Sequence, residues 1–226
     1  MTQDDLWFKK EGDAWFERAQ NSAKGDPTFD WGHHLIELLT KEQEINTVLD
    51  LGCADGRKLN RLVEVLNLST GVGVDVSDAA IAAGKVKFPD LDLRVGRLSD
   101  IPVDQQFDLV VVSGVFAVVD RQTLAKSVAE VDRLTKDQGY LLLEDFLPDF
   151  SQRTRYTHCQ EDDVFCFKTD HGRIFESLGI YKKISSVIFD ADKLPQAAIE
   201  HVPSGSRFVS ALFHKSVLEH YPLQER

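Results

Sequence analysis

The strongest constraint on the fold is an aliphatic run that ends at a glycine turn, Val48-Leu49-Asp50-Leu51-Gly52-Cys53-Ala54-Asp55-Gly56. Asn46 to Leu51 reads as a buried strand and Gly52 to Gly56 as a tight turn. From Arg57 onward, Leu59, Leu62, Val63 and Leu66 recur on one face of a helix. A strand that is apolar throughout is buried on both faces, as in a parallel sheet covered by helices. The alternation continues. Gly71 to Asp75, Leu91 to Val95, Phe107 to Ser113 and Gly139 to Glu144 read as further strands. Ser77 caps a helix running toward Val86, and Leu124, Val128, Val131 and Leu134 mark another. Strands and helices in this order predict an α/β fold with a doubly wound, mostly parallel sheet.

The flanks are less regular. Leu6 to Gln20 reads as a helix interrupted at Gly12, followed by a loop over Ser22 to Thr28 that Pro27 keeps out of helix. Asp30 then caps a helix with the apolar stripe Trp31, Leu35, Leu38 and Leu39. Asp145 to Cys166 is charged and aromatic without a clean period. Ile180 to Phe189 and Arg207 to Lys215 read as two terminal strands, joined through an excursion containing Pro195 and Pro203. The expected organisation is one domain over 1–226, with 1–42 as an amino-terminal helical cap and 145–169 as a substrate-facing insertion.

Composition narrows the partners. With 42% hydrophobic and 28% charged residues in 226, a folded domain with a substantial core is expected. The net charge of -11 disfavours broad binding to nucleic acid, which needs a basic surface. Cys53, Cys159 and Cys166 are odd in number and irregular in spacing, which predicts free thiols in a reducing compartment. The acidic start Met1-Thr2-Gln3-Asp4-Asp5 and the lack of a long apolar run predict a cytoplasmic protein without membrane association. A small-molecule substrate is the expected partner; monomer and homodimer are both compatible with the sequence.

The glycine turn lies where parallel sheets place ligands, at the carboxyl edge of a strand. Gly52 permits close approach of a ligand to the backbone, and Gly56 can take a left-handed conformation that releases the chain into the helix. The pattern is neither the G-x-G-x-x-G fingerprint nor a P-loop, since it lacks the lysine and hydroxyl that the latter needs. Asp75 ends the second strand in Gly73-Val74-Asp75-Val76-Ser77. A carboxylate there can accept both hydroxyls of a ribose or stand as a solvent-facing acid, and its pairing with the glycine turn favours the ribose.

Taken together, the segment from Leu49 to Gly56 resembles the first motif of class I S-adenosylmethionine-dependent methyltransferases, and Gly73 to Ser77 resembles their second. Phe107-Asp108-Leu109-Val110-Val111-Val112-Ser113 and Gly139-Tyr140-Leu141-Leu142-Leu143 resemble the strands that follow. The resemblance covers Asn46 to Glu144. It implies a Rossmann-like sheet of seven strands with an antiparallel carboxyl-terminal hairpin, and S-adenosylmethionine as cofactor. It places Asp50 and the Gly52, Cys53 and Ala54 backbone near the donor's methionine, Asp75 with Val76 at its ribose, and Leu98 beside adenine. Ser113 ends the fourth strand near the reaction cleft. Arg97 departs from the acidic residue common at its position; it cannot accept the adenine amino hydrogen bond, which leaves backbone groups, Ser99 or Asp100 for that task.

Gly12-Asp13-Ala14-Trp15-Phe16-Glu17-Arg18 is loosely similar to the leader of bacterial methylases of sugar or surface-polysaccharide biosynthesis, although Ala19 replaces their usual asparagine. An aromatic helix here can cover the donor, with Trp15 at the site and Arg18 at the methionine carboxylate, or serve ordinary packing.

Methyl transfer is an in-line displacement that positioning can catalyse, so the absence of an obvious dyad is compatible with an enzyme. Asp145, Tyr156 and His158 are the candidate catalytic residues. Arg153, Arg155, Tyr156 and His158 combine anion binding, ring contact and proton handling, as an acceptor lid or as a charged loop laced by ion pairs with Glu161 to Asp163. Gly114 and Phe116 can shape the cleft after Ser113. His34 shares the apolar face of its helix and reads as a core histidine. His33, His171, His201, His214 and His220 show no ligand spacing, so no metal is expected. A noncatalytic donor-binding protein is the main alternative; a nicotinamide-dependent oxidoreductase would need a different glycine pattern.

Overall fold

The structure, a computed structural model, describes residues 2–21, 31–159, 163–191, 202–221 and 223–224. The chain begins with α1 (Gln3–Leu6), a π-helical turn (Trp7–Glu11), α2 (Gly12–Asn21) and α3 (Trp31–Leu39). Then come β1 (Val48–Leu51), α4 (Arg57–Val65), β2 (Val72–Asp75), α5 (Asp78–Lys87), β3 (Asp92–Val95) and β4 (Phe107–Ser113). The remaining elements are α6 (Leu124–Leu134), β5 (Thr135–Phe146), β6 (Gln152–Arg155), β7 (Phe165–Lys168), α7 (Gly172–Ser177), β8 (Tyr181–Asp190) and β9 (Arg207–Lys215). The expected Ser22 to Thr28 loop, the Asp30 cap, Pro195 and His201 lie outside the described residues.

Seven strands form one sheet in the order β3-β2-β1-β4-β5-β9-β8. Neighbours from β3 to β5 pair in parallel, while β9 runs antiparallel to both β5 and β8. This is the doubly wound sheet with an antiparallel terminal hairpin that the sequence predicts. Alternation along the strands divides the core into two layers. Leu49, Leu51, Val110, Val112, Leu141 and Leu143 face one layer with α6 and α7. Val48, Leu109, Val111 and Leu142 face the other with α3, α4 and α5. Each fully buried aliphatic side chain contributes about 1.5–3 kcal/mol, so these layers dominate the stability of the sheet.

The differences from the sequence reading have local causes. In α3 the buried face is His33, Leu35, Ile36 and Leu39, whereas Leu38 is exposed and His34 half-buried. The core histidine is therefore His33, whose Nε2 lies 3.3 Å from the Lys58 carbonyl. The strand expected from Gly139 starts directly after α6, at Thr135, because a register shift against Phe107 and Leu109 and a left-handed Gln138 (φ 63°) absorb the extra residues. The segment without a clean period contains an antiparallel hairpin, β6 with β7. Its strands sit over the edge of the cleft and are half-buried or exposed, so no two-residue apolar alternation marks them. No helix among the described residues is long and apolar enough to cross a membrane.

Candidate active site

The site begins where β1 and β2 end. Gly52 takes a left-handed φ of 83°, and its N–H donates to the Val74 carbonyl at 2.8 Å. A Cβ at this position would lie 2.3 Å from a Val115 methyl, so both conformation and space require glycine. Two residues on, Ala54 is also left-handed (φ 48°), a strained choice for a residue with a side chain. Its N–H donates to Asp75 Oδ2 at 2.8 Å, and Asp75 Oδ1 accepts from the Ser77 N–H at 2.9 Å. The Ser77 hydroxyl in turn caps α5, accepting from Ala80 N–H at 3.0 Å as expected. Asp75 thus locks the glycine turn to the second strand and still lines the cleft. Burial raises its pKa, against the lowering influence of the Ser77, Ala54 and Val76 N–H groups.

A cavity of about 350 Å³ opens from these strand ends, within the usual size of small-molecule sites. Its floor is Leu51, Gly52, Val74, Asp75, Val76, Gly96, Arg97 and Leu98; Ser113 and Gly114 follow from the end of β4. Of the residues expected at the donor, Trp15, Gly52, Asp75, Val76, Arg97, Leu98 and Ser113 line this one space. Asp50, Cys53 and Ala54 lie behind it, with Asp50 and Cys53 buried.

Beneath the floor sits a buried polar cluster. The Glu144 carboxylate pairs with Lys58 and accepts from the Ser210 hydroxyl and, at 2.8 Å, from Ser113 Oγ. Asp50 is pushed up to about 7, first by desolvation and further by the Asp75 and Glu144 charges, with Lys58 acting in the opposite sense. Burial likewise pushes the Cys53 thiol well above its ordinary range, so it is a packed thiol and not a nucleophile.

The roof comes from the amino-terminal segment. Asp4, Trp7, Gly12 and Trp15 all line the cavity. Gly12 presses on the turn just after β2: a Cβ there would come within 3.0 Å of the Val76 side chain. The next residue, Asp13, accepts from Ser77 Oγ at 2.6 Å and Ala79 N–H at 3.1 Å. Arg97 pairs with Asp5 at 2.7 Å, and its guanidinium stacks 4.3 Å over the Phe8 ring. This pairing draws the Asp5 carboxyl well below the usual range. Arg18 meets Glu11 and the Tyr156 hydroxyl (3.3 Å), so its described partners belong to the cap and insertion.

The expected catalytic residues separate in space. Tyr156 lines the cavity, with its ring 5.4 Å from that of Trp7. Burial and the Glu11 charge push its hydroxyl up to about 12, so at neutral pH it is a hydrogen-bond donor. His158 is exposed on the outer side, its ring 5.4 Å from Tyr156, and is not among the lining residues. Asp145 is 1% exposed and lies behind the wall. It accepts from Ala117 and Phe146 N–H and sits 3.2 Å from His171 Nδ1, which gives it a part in holding the segment after β4. Arg155 pairs with Asp163 at 3.0 Å and Arg153 covers Phe165, both on the solvent side. Glu161 and Asp162 lie outside the described residues.

Sequence reasoning missed Asp4, Asp5, Phe146 and Cys166 as members or supports of the wall. The acidic pair Asp4-Asp5 at a helix start was a usable signal, but its partners lie about a hundred residues away. Asp4 accepts from Asp120 N–H at 2.8 Å, and Gln3 bridges to the Val118 and Phe165 carbonyls.

Comparison with known proteins agrees with this geometry. Residues 48–139 match the family model described as a methyltransferase domain. The chain is 26% identical over 149 residues to an uncharacterized protein of Rickettsia prowazekii, covering 63% of this chain and 60% of that one. It is 29% identical over 163 residues to a putative 23S rRNA (guanine-N(1)-)-methyltransferase of Bacillus subtilis, covering 66% and 55%. The chain therefore spans less than two thirds of the length of these curated relatives. Among solved structures it resembles the Burkholderia thailandensis 1,6-didemethyltoxoflavin-N1-methyltransferase bound to 1,6-didemethyltoxoflavin and S-adenosylhomocysteine. That match has a TM-score of 0.70 at 10% identity, over 94% of this chain and 88% of the other. The glycine turn, the acid at the end of β2 and the strand order belong to a Rossmann-like methyltransferase fold, within which residues 48–139 match the methyltransferase-domain model.

Proposed function

We propose that the chain transfers a methyl group from S-adenosylmethionine to an oxygen or nitrogen of a small polar metabolite, with sugar derivatives among the candidates. The observation that carries this reading is a single cavity joining the Gly52–Asp75 motif to an aromatic wall of Trp7, Trp15, Phe146 and Tyr156. The residues present fit the donor. Gly52 leaves open the space a Cβ would fill, Asp75 offers a carboxylate to ribose hydroxyls, and Leu98 offers an apolar face to adenine. Trp7 lines the cavity, and its buried Nε1–H has no hydrogen-bond partner among the described residues.

The bound donor supplies a methyl carbon on a sulfonium, open to in-line attack. The protein's contribution is alignment and exclusion of water by the rings of the roof. Tyr156, held as a neutral phenol, orients the acceptor by donating a hydrogen bond to it. An unprotonated amine or ring nitrogen then needs no base. The rRNA substrate in one relative's name suggests a second reading, but the net charge of -11 supports a small acceptor over a polyanion.

Calorimetry with S-adenosylmethionine and S-adenosylhomocysteine tests the donor half, with saturable binding of both expected. A correctly folded sample that binds neither contradicts it. Incubation of a metabolite extract with methyl-labelled donor tests the acceptor half: labelled small molecules support transfer, and donor binding with label only in RNA or in no product favours the alternatives.

A further inference from the structure

The residue that departs from the family pattern, Arg97, sits at the adenosine end of the cleft and is already engaged from above. Its guanidinium pairs with Asp5 at 2.7 Å and lies 4.3 Å over Phe8, so two consecutive turns of the amino-terminal segment rest on it. The segment touches the donor floor again at Gly12 on Val76 and at Asp13 on Ser77 and Ala79. Between these two attachments the helix widens into the five-residue π turn Trp7–Glu11. Such a turn weakens regular helical bonding and recurs at functional sites. Trp7 within it and Trp15 beyond it form part of the cavity roof. The segment therefore covers the end of the cavity floored by Val76 and Arg97.

We propose that Arg97 and Asp5 form the latch of this cap: Arg97 is a positioning residue that holds the amino-terminal segment over the adenosine end of the donor. This rests on the donor assignment above. The acid expected at the position of Arg97 is thus supplied from the cap, and it serves closure in place of direct contact with adenine. Parting of the pair, with the π turn as hinge, admits the donor and releases its demethylated product. Since both side chains are about 30% exposed (29% and 31%), salt weakens the latch.

Stopped-flow fluorescence provides the test, with S-adenosylhomocysteine as the probe and Trp7 and Trp15 as internal reporters. Asp5→Ala and the near-isosteric Asp5→Asn should each speed dissociation of the probe about two- to fivefold, the scale of a partly exposed ion pair, since the Arg97–Phe8 contact remains in both. Added salt should speed release from the wild type and leave both variants nearly unchanged. The exchanged pair Asp5→Arg with Arg97→Asp should restore slow release. An arginine needed for direct adenine contact would instead leave the exchanged pair defective while Asp5→Asn behaves like wild type, and that result overturns the proposal. A wild type that fails to bind the probe overturns the donor assignment and the latch together. Binding with unchanged dissociation in both Asp5 variants overturns the latch alone.

Discussion

The sheet and its cap are held together by different forces. The sheet lies between two extensive apolar layers, with Leu109, Val110, Val111 and Val112 of β4 essentially free of solvent contact. The cap has a small apolar cluster of Leu6, Cys159 and Val164 with Tyr156 against it. Trp7 on the Tyr156 ring and Gly12 on Val76 add packing, and many further attachments of residues 3–21 are polar: Gln3 to Val118 and Phe165, Asp4 to Asp120 and Thr123, Asp5 to Arg97, and Asp13 to Ser77 and Ala79. Glu11 joins Arg18 and Cys159 in the same region. A platform stabilised by burial and a cover stabilised by hydrogen bonds open at different free energies, which suits a site that must admit a ligand without unfolding.

The largest effect expected from this contrast is in the core. Phe107 is 1% exposed at the start of β4, and Phe107→Ala should lower global stability by about 3–5 kcal/mol in denaturant titrations. Leu6→Ala should instead speed amide exchange of residues 3–21 while the strand amides keep their protection. Equal losses of global stability from the two substitutions would erase the distinction.

Asp75→Asn comes next. It keeps one acceptor and sets an NH2 group against the backbone N–H of Ala54 or Ser77, loosening the turn as well as removing the carboxylate from the cleft, so donor affinity should fall by about 1–3 kcal/mol in calorimetry. Unchanged affinity would remove Asp75 from the ribose site.

A smaller, pH-dependent effect should come from Asp50, raised from 3.8 to about 7 by burial. Between these values the native state retains a proton that the unfolded chain has released. Its contribution to stability is thus present below about pH 4 and is lost as pH rises through about 7. Asp75 is shifted in the same direction. Urea unfolding of Asp50→Asn at pH 5 and pH 8 should show a weaker loss with rising pH than the wild type; an identical slope would locate the dependence elsewhere.

The same division explains what was legible in the sequence. β4 and β9 occupy the residues expected of them, Phe107–Ser113 and Arg207–Lys215, because strands buried on both faces or beside the core carry near-continuous apolar runs. The left-handed Gly52 and Gly56 and the Asp75 strand end were equally readable, since local chemistry dictates them. The cap was readable only as an interrupted helix at Gly12; the structure ends a π turn there. Its docking on Arg97 was not legible, because an ion pair between residues 92 positions apart leaves no periodic trace. Asp145 illustrates the same limit: an acid after a strand end looks the same in sequence whether it faces the cleft or, as here, the back of the wall. His158 and Tyr156 are two residues apart, yet one is exposed and the other lines the cavity.

The most direct test of a rigid donor platform under a polar-held cap is hydrogen exchange measured with and without saturating S-adenosylhomocysteine. The account predicts that residues 3–21 and 152–156 gain protection on binding, along with the Gly52 turn, while the interior of β4 stays as slow as before. Saturable binding that leaves exchange in both segments unchanged would contradict it.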